Sequence, residues 1–166
     1  MRAAIAKTAR PAELRACARL MAGSEPWLTL GRKYPACLKS LRGPGREVYA
    51  LRENGAPAGF IVLQMLGVLK GYVQTVCVAP EFRGRGCGQL LLEFAERRVF
   101  SETPNIFLCV SSFNRRAQVF YRRLGYRRAG TLKNFVVSGH DELLLRKTTG
   151  PLDGFCARAR RAGGRL

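Results

Sequence analysis

The stretch Glu81–Arg98, EFRGRGCGQLLLEFAERR, decides the reading of this 166-residue chain. Gly84, Gly86 and Gly88 alternate with Arg83, Arg85 and Cys87, and an amphipathic helix follows that sets Leu91, Phe94, Ala95 and Val99 on one face. Glycine costs up to ~1 kcal/mol per helical position relative to alanine. Three of them at a helix start therefore imply a backbone that takes up positive φ and lets another group approach closely. The stretch is preceded by YVQTVCVAP, a strand closed by Pro80.

A strand, a short loop and a glycine-rich helix start make an anion cradle. The first amides of a helix lack internal partners, and the helix dipole favours negative charge there. Arg83 and Arg85 add charge. The P-loop pattern GxxxxGK[ST] is absent, and GxGxxG fails because Gln89 stands where its third glycine belongs. What remains is Arg83-x-x-Gly86-x-Gly88.

The rest of the chain reads as β α α β β β α β α β β. MRAAIA is a first strand. PAELRACARLMAG is a helix, with Pro11 at its start and Gly23 at its stop, and a second short helix lies around Ala36–Leu41. Two β-type runs flank Asn54-Gly55, the favoured dipeptide of a tight hairpin. NIFLCV is a strand, RRAQVFYRRLG a helix stopped by Gly125, and YRRAGTLKNFVV and ELLLRK a closing hairpin about Ser138-Gly139. This order predicts an α/β (α+β) domain over residues 1–147, with helices on both faces of a mixed sheet, followed by a basic tail at 148–166.

Composition narrows the function. Hydrophobic residues are 47% of the chain, which excludes a disordered protein. No apolar run approaches the ~20 residues of a membrane span, nor the length of a secretory signal, so a cytoplasmic protein without a membrane partner is expected. Six cysteines without a CxxC pair, and a single histidine, His140, argue against a metal site and for reduced, structural thiols. The net charge of +18 attracts polyanions. Without a base-reading motif, nucleic acid is expected to bind only non-specifically.

The Arg83-x-x-Gly86-x-Gly88 spacing after VCVAPEF resembles the pyrophosphate-binding signature of the GNAT N-acetyltransferase superfamily. LCVSSFNRRAQVFYRRLGYRRAG resembles the superfamily's next strand and helix, with Asn114, Ala117, Tyr121, Leu124 and Gly125 at matching places. The similarity covers roughly Glu47–Lys147 and extends to the bacterial ribosomal-protein-acetyltransferase-like subgroup. It implies a mostly antiparallel sheet of six to seven strands with a splayed parallel pair, here YVQTVCV and NIFLCV. It implies acetyl-CoA as donor and direct transfer to a primary amine in a ternary complex, by a monomer or homodimer and without a metal.

The resemblance also assigns residues. The cofactor is expected on Cys77 and Val78 through the backbone, on Arg83, Gly84, Arg85, Gly86, Cys87, Gly88 and Gln89 around the pyrophosphate, and on Asn114 and Arg123. Asn114 can also simply cap its helix. Tyr121 is expected as general acid to the leaving thiolate, although a core aromatic suits the same position. Trp27, Gln74 and Cys109 are expected to wall the acceptor site, although a tryptophan in Trp27's position more often belongs to the core.

The base stays open. Superfamily members that acetylate protein N-termini commonly carry Glu at the position of Cys109, and Gln74 is neutral too. His140, Glu142 and Glu25 remain, and His140 is placed in the site. A lysine amine is neutral only about one part in a thousand at pH 7.4, an α-amine roughly a quarter of the time. A missing carboxylate therefore favours an α-amine or a small amine of low pKa. The alternative reading is a degenerate acetyltransferase fold that senses CoA or binds nucleic acid.

Overall fold

The computed structural model describes residues 3–155. Cys156 and the tail arginines Arg158, Arg160, Arg161 and Arg165 lie outside the described residues.

Seven strands form one sheet in the order β1-β2-β3-β4-β5-β7-β6. They are β1 (Ala3–Lys7), β2 (Arg46–Glu53), β3 (Ala56–Gln64), β4 (Tyr72–Val78), β5 (Asn105–Ser111), β6 (Arg127–Leu132) and β7 (Glu142–Thr148). Among the described residues four α-helices cover it: α1 (Pro11–Ala22), α2 (Tyr34–Ser40), α3 (Cys87–Phe100) and α4 (Arg115–Arg123). Every neighbouring pair is antiparallel except β4 and β5. The expected mixed, mostly antiparallel sheet is therefore observed.

The central strand β3 explains the two layers. Successive side chains point to opposite faces. Phe60 and Val62 pack with Leu14, Cys17, Met21 and Cys37 of α1 and α2. Ile61 and Leu63 pack with Leu91, Leu92, Ala95 and Val99 of α3, beside Tyr121 and Tyr126. A strand covered on both sides needs an unbroken apolar run, which is why Ala58–Leu63 is buried throughout.

Local signals behave as their chemistry requires. Asn54 and Gly55 both have positive φ, 51° and 85°, closing the β2–β3 hairpin. α2 begins at Tyr34, two residues earlier than its sequence pattern suggests. The closing hairpin differs more. β6 ends at Leu132 rather than Val137, so a nine-residue connection, 133–141, precedes β7. Phe135 and Val136 in this connection are exposed rather than paired in a strand. β7 runs through Thr148, and Thr149 N–H donates to Pro104 O at 2.9 Å. The chain thus stays on the sheet just past the expected boundary at 147.

Glu47 ties three elements together. It accepts from Lys7 Nζ at 3.1 Å, Tyr49 Oη at 2.7 Å and Arg98 Nε at 2.9 Å. Burial works against its charge, but Arg98, Tyr49 and Lys7 outweigh it and hold the carboxyl at about 2. A depressed carboxylate contributes stability above its ordinary value, 4.5, and loses it as pH falls toward 2. Melting temperature should drop across this window. Glu47→Gln should melt lower at pH 7 and show a shallower fall; an unchanged pH profile would refute the assignment.

Candidate active site

The parallel pairing of β4 with β5 is limited to Tyr72 with Phe107 and Val73 with Leu108. Just past it, the β3–β4 register slips: Leu63 faces Val73 and Val62 faces Thr75, leaving Gln74 as an extra residue on β4. An extra residue bends its strand. β4 continues on β3 to Val78, and β5 continues on β7 to Ser111, so the two strands part. The splay leaves facing backbone edges without a ladder between them.

The gap opens into a cleft of about 1080 Å3. One end is the glycine loop. Gly84 and Gly86 have φ of +78° and +83°, and a Cβ on either would meet no protein atom within 4 Å. Gly86 is the N-cap of the 14-residue helix α3, which has no side-chain cap. Its first turn is thus free to receive an anion in open space. α4 differs: Asn114 Oδ1 accepts from Ala117 N at 3.1 Å and satisfies that helix start. Gly88 lies inside α3, where a Cβ would come within 3.3 Å of Phe120 Cζ. Its role is close packing of α3 on α4.

The expected cofactor residues are largely brought together. Cys77, Val78, Arg83, Gly84, Gly86, Cys87, Gly88, Gln89, Asn114 and Arg123 all line the cleft. Several are engaged internally. Arg83 donates from Nε to Val78 O at 3.1 Å and from Nη2 to Ser24 Oγ at 3.3 Å, tying the loop to β4 and to the turn after α1. Gln89 donates to Glu93 at 2.8 Å. The Cys87 thiol is buried and donates to Glu53 at 3.4 Å. Arg85 is not brought in by its side chain: its guanidinium lies 5.6 Å from the Phe82 ring centroid, and it is absent from the cleft wall.

Tyr121 is buried and lines the cleft from α4, edge-on to Tyr126. Burial first, and the neighbouring Cys77 second, push its phenol well above the ordinary value, so it holds its proton across the working pH range. The Cys77 thiol is likewise pushed up, to about 11, chiefly by burial.

The other end of the cleft is walled by the α1–α2 connection, α2 and the 133–141 loop. Trp27 both packs on the α1–α2 core and faces the cleft. Gln74 lines it while donating to Ser40 O at 3.1 Å. Cys109 lines it in contact with the Tyr72 hydroxyl, and burial raises its thiol. His140 is not brought to the wall: its ring packs edge-on to Phe113 at 5.0 Å, and the residue does not line the cleft. Glu25 and Glu142 do. Glu142 is 4% exposed, and Ser111 Oγ donates to its Oε1 at 2.6 Å.

Sequence reading missed Arg116, Phe135, Val136 and Tyr72 in this wall. Arg116 had a signal: it stands seven residues before Arg123, on the same helix face. Phe135 and Val136 had none, because their run reads as strand. Among the described residues no group of three or more His, Cys, Asp or Glu could hold a metal ion, and no helix is long and apolar enough to cross a membrane.

A sheet opened between its parallel strands over an uncapped, glycine-entered helix is the setting of the site, and the chain belongs to the acetyltransferase (GNAT) family, whose model matches residues 12–126. It is 31% identical over 146 residues to the N-alpha-acetyltransferase RimI of Mycobacterium tuberculosis, covering 85% of this chain and 86% of that one. Among solved structures it is similar to the ribosomal-protein-S18-alanine N-acetyltransferase from Escherichia coli (TM-score 0.70, 19% identity, 93% of this chain and 100% of that one). It is also similar to an aminoglycoside 6'-N-acetyltransferase complexed with coenzyme A (TM-score 0.69, 18% identity, 89% and 98%). The chain is an acetyl-CoA-dependent N-acetyltransferase that moves an acetyl group to an amine.

Proposed function

We propose that the acceptor is the α-amine of a protein or peptide N-terminus. The charge of the cleft wall carries this reading: among the described residues, Arg32, Arg83, Arg116 and Arg123 line it against two carboxylates, Glu25 and Glu142. A polycationic acceptor such as an aminoglycoside or polyamine would enter against that field. An α-amine is also neutral far more often than a lysine amine at pH 7.4, which lowers the demand on a base. The likeness to RimI of M. tuberculosis points the same way. Trp27, Leu30, Phe135 and Val136 supply apolar contact for the first residues of a peptide, and Gln74 and Cys109 border the reacting end.

In this reading the pyrophosphate of CoA rests on the amides that open α3, with Arg123 near the phosphates and Asn114 fixing the start of α4. The pantetheine arm fills the gap between β4 and β5, pairing with backbone beside Cys77 and Val78. Positioning of the two reactants is the main contribution, worth roughly 7–11 kcal/mol in well-oriented systems. Tyr121 protonates the departing sulfur. The enzyme works in the cytoplasm as a monomer or homodimer.

Thiol release from acetyl-CoA should be fastest with a peptide bearing a free N-terminal alanine. It should vanish when that amine is blocked, and be slower with a lysine-only peptide or an aminoglycoside. Preference for either of the last two would overturn the acceptor reading. Nucleic acid, if bound, should be held electrostatically, its log affinity falling linearly with log salt and showing no sequence preference. Tight, selective binding at physiological salt would instead favour a binding module.

A further inference from the structure

We propose that Glu142, at the start of β7, is the residue that takes the proton from the attacking amine, with Ser111 as its positioning residue. This rests on the acetyl-transfer reading above and names the group that reading leaves open. Gln74 on β4 and Cys109 on β5, which border the reacting end of the cleft, carry no carboxylate. The register of β5 with β7 offers a replacement from the neighbouring strand. Ser111 lies directly opposite Glu142, and Cys109, two residues before Ser111, opposite Leu144. The carboxylate thus reaches the same end of the cleft from one strand further along the sheet.

Three observations separate Glu142 from the other candidates. It lines the cleft, whereas His140 does not. It is almost fully buried, whereas no burial holds Glu25, which sits exposed on the α1–α2 connection. One of its oxygens is fixed by Ser111 Oγ at 2.6 Å, so the carboxyl group is held in one orientation. The groups around it are Tyr72 on β4, Cys109 and Ser111 on β5 and His140 in the preceding loop. Among the described residues no arginine or lysine is paired with it. Burial raises its carboxyl, opposed by Ser111 and then by His140, which makes it a stronger proton acceptor than an exposed glutamate.

The step balances without a further reactant. The ammonium of the acceptor gives one proton to Glu142, directly or through one water. The neutral nitrogen then forms the C–N bond to the thioester carbonyl carbon, and the C–S bond breaks as Tyr121 protonates sulfur. The second amine proton leaves to water after the tetrahedral stage, Glu142 returns the first proton to solvent, and Tyr121 recovers its own from solvent, so that one proton is released per turnover.

The test compares wild type, Glu142→Gln, Ser111→Ala and His140→Ala, using thiol release from acetyl-CoA with the amine of highest kcat/KM among those named above. Glu142→Gln keeps the size of the side chain and an oxygen to accept from Ser111. It should lower kcat about 100-fold or more, leave CoA affinity unchanged, and abolish the acid limb of the kcat profile. Ser111→Ala should move that limb to higher pH, because the lost hydrogen bond favoured the charged carboxylate. His140→Ala should leave kcat within a few-fold. A Glu142→Gln enzyme with wild-type kcat and an intact acid limb, on a wild type that turns over, would overturn this inference alone. A wild type that binds CoA but acetylates no amine would overturn the acetyl-transfer reading with it. A loss confined to KM would assign Glu142 to holding the acceptor's charge and refute its role as base.

Discussion

Tyr121→Phe is expected to lower turnover about 100-fold or more while leaving CoA affinity nearly unchanged. The substitution removes one oxygen from a ring that packs against Phe120 and Tyr126 inside the core, so the fold should persist. The burial that keeps the phenol protonated also means that no basic limb from Tyr121 should enter the rate profile at working pH. Pre-steady-state measurement is needed, so that chemistry rather than product release is observed. Cys109→Ser is the control: its thiol is raised by burial and so poorly suited to attack, and turnover should fall only slightly. Near-normal chemistry in Tyr121→Phe would remove it from catalysis. A greater loss in Cys109→Ser would require an acetyl-cysteine intermediate instead of direct transfer.

Gly86→Val is expected to abolish CoA binding, with affinity down by about 100-fold or more in calorimetric titration. Two effects combine. The φ of +83° puts a β-branched residue in a backbone region that costs on the order of 1–3 kcal/mol. The new side chain would also stand in the open space over the first turn of α3. Gly88→Val should act differently. Its Cβ would press within 3.3 Å of Phe120 and part α3 from α4, so stability should fall along with binding. Arg83→Ala should weaken binding less than Gly86→Val, because its guanidinium is spent on Val78 O and Ser24 Oγ rather than left free for phosphate. Unchanged CoA affinity in folded Gly86→Val would end the cradle reading.

Features encoded by contiguous residues were readable in the chain itself. The positive φ of Gly84 and Gly86, the Asn54-Gly55 turn and the cap at Asn114 each follow from local chemistry and are found in place, whereas Gly88 is helical and its φ is not positive. Features that depend on register were not. The extra residue at Gln74 lies within YVQTVCV, a β-type run with no glycine or proline inside it, so nothing announces where β4 leaves β5. Glu142 and Ser111 are 31 residues apart and meet only because β7 pairs antiparallel with β5. His140 is nearby in sequence, yet the turn before β7 sends its ring onto Phe113. The apolar pair Phe135 and Val136 imitates a strand and instead faces the cleft from a loop.

The brevity of the β4–β5 pairing also bears on how the molecule is held together. Two antiparallel blocks, β1–β4 and β5–β7–β6, share a seam of two residue pairs, with the helices bracing it from outside. A pantetheine chain lying in that seam would act as a surrogate strand, supplying the cross-links that Gln74 and its neighbours forgo. The ligand then belongs to the scaffold as much as to the chemistry. At a concentration 100 times its Kd it would add about 2.7 kcal/mol to the folded state, a large share of the stability of a small domain. Such a protein would be coupled to the acetyl-CoA pool through its own integrity, holding together best when its donor is plentiful.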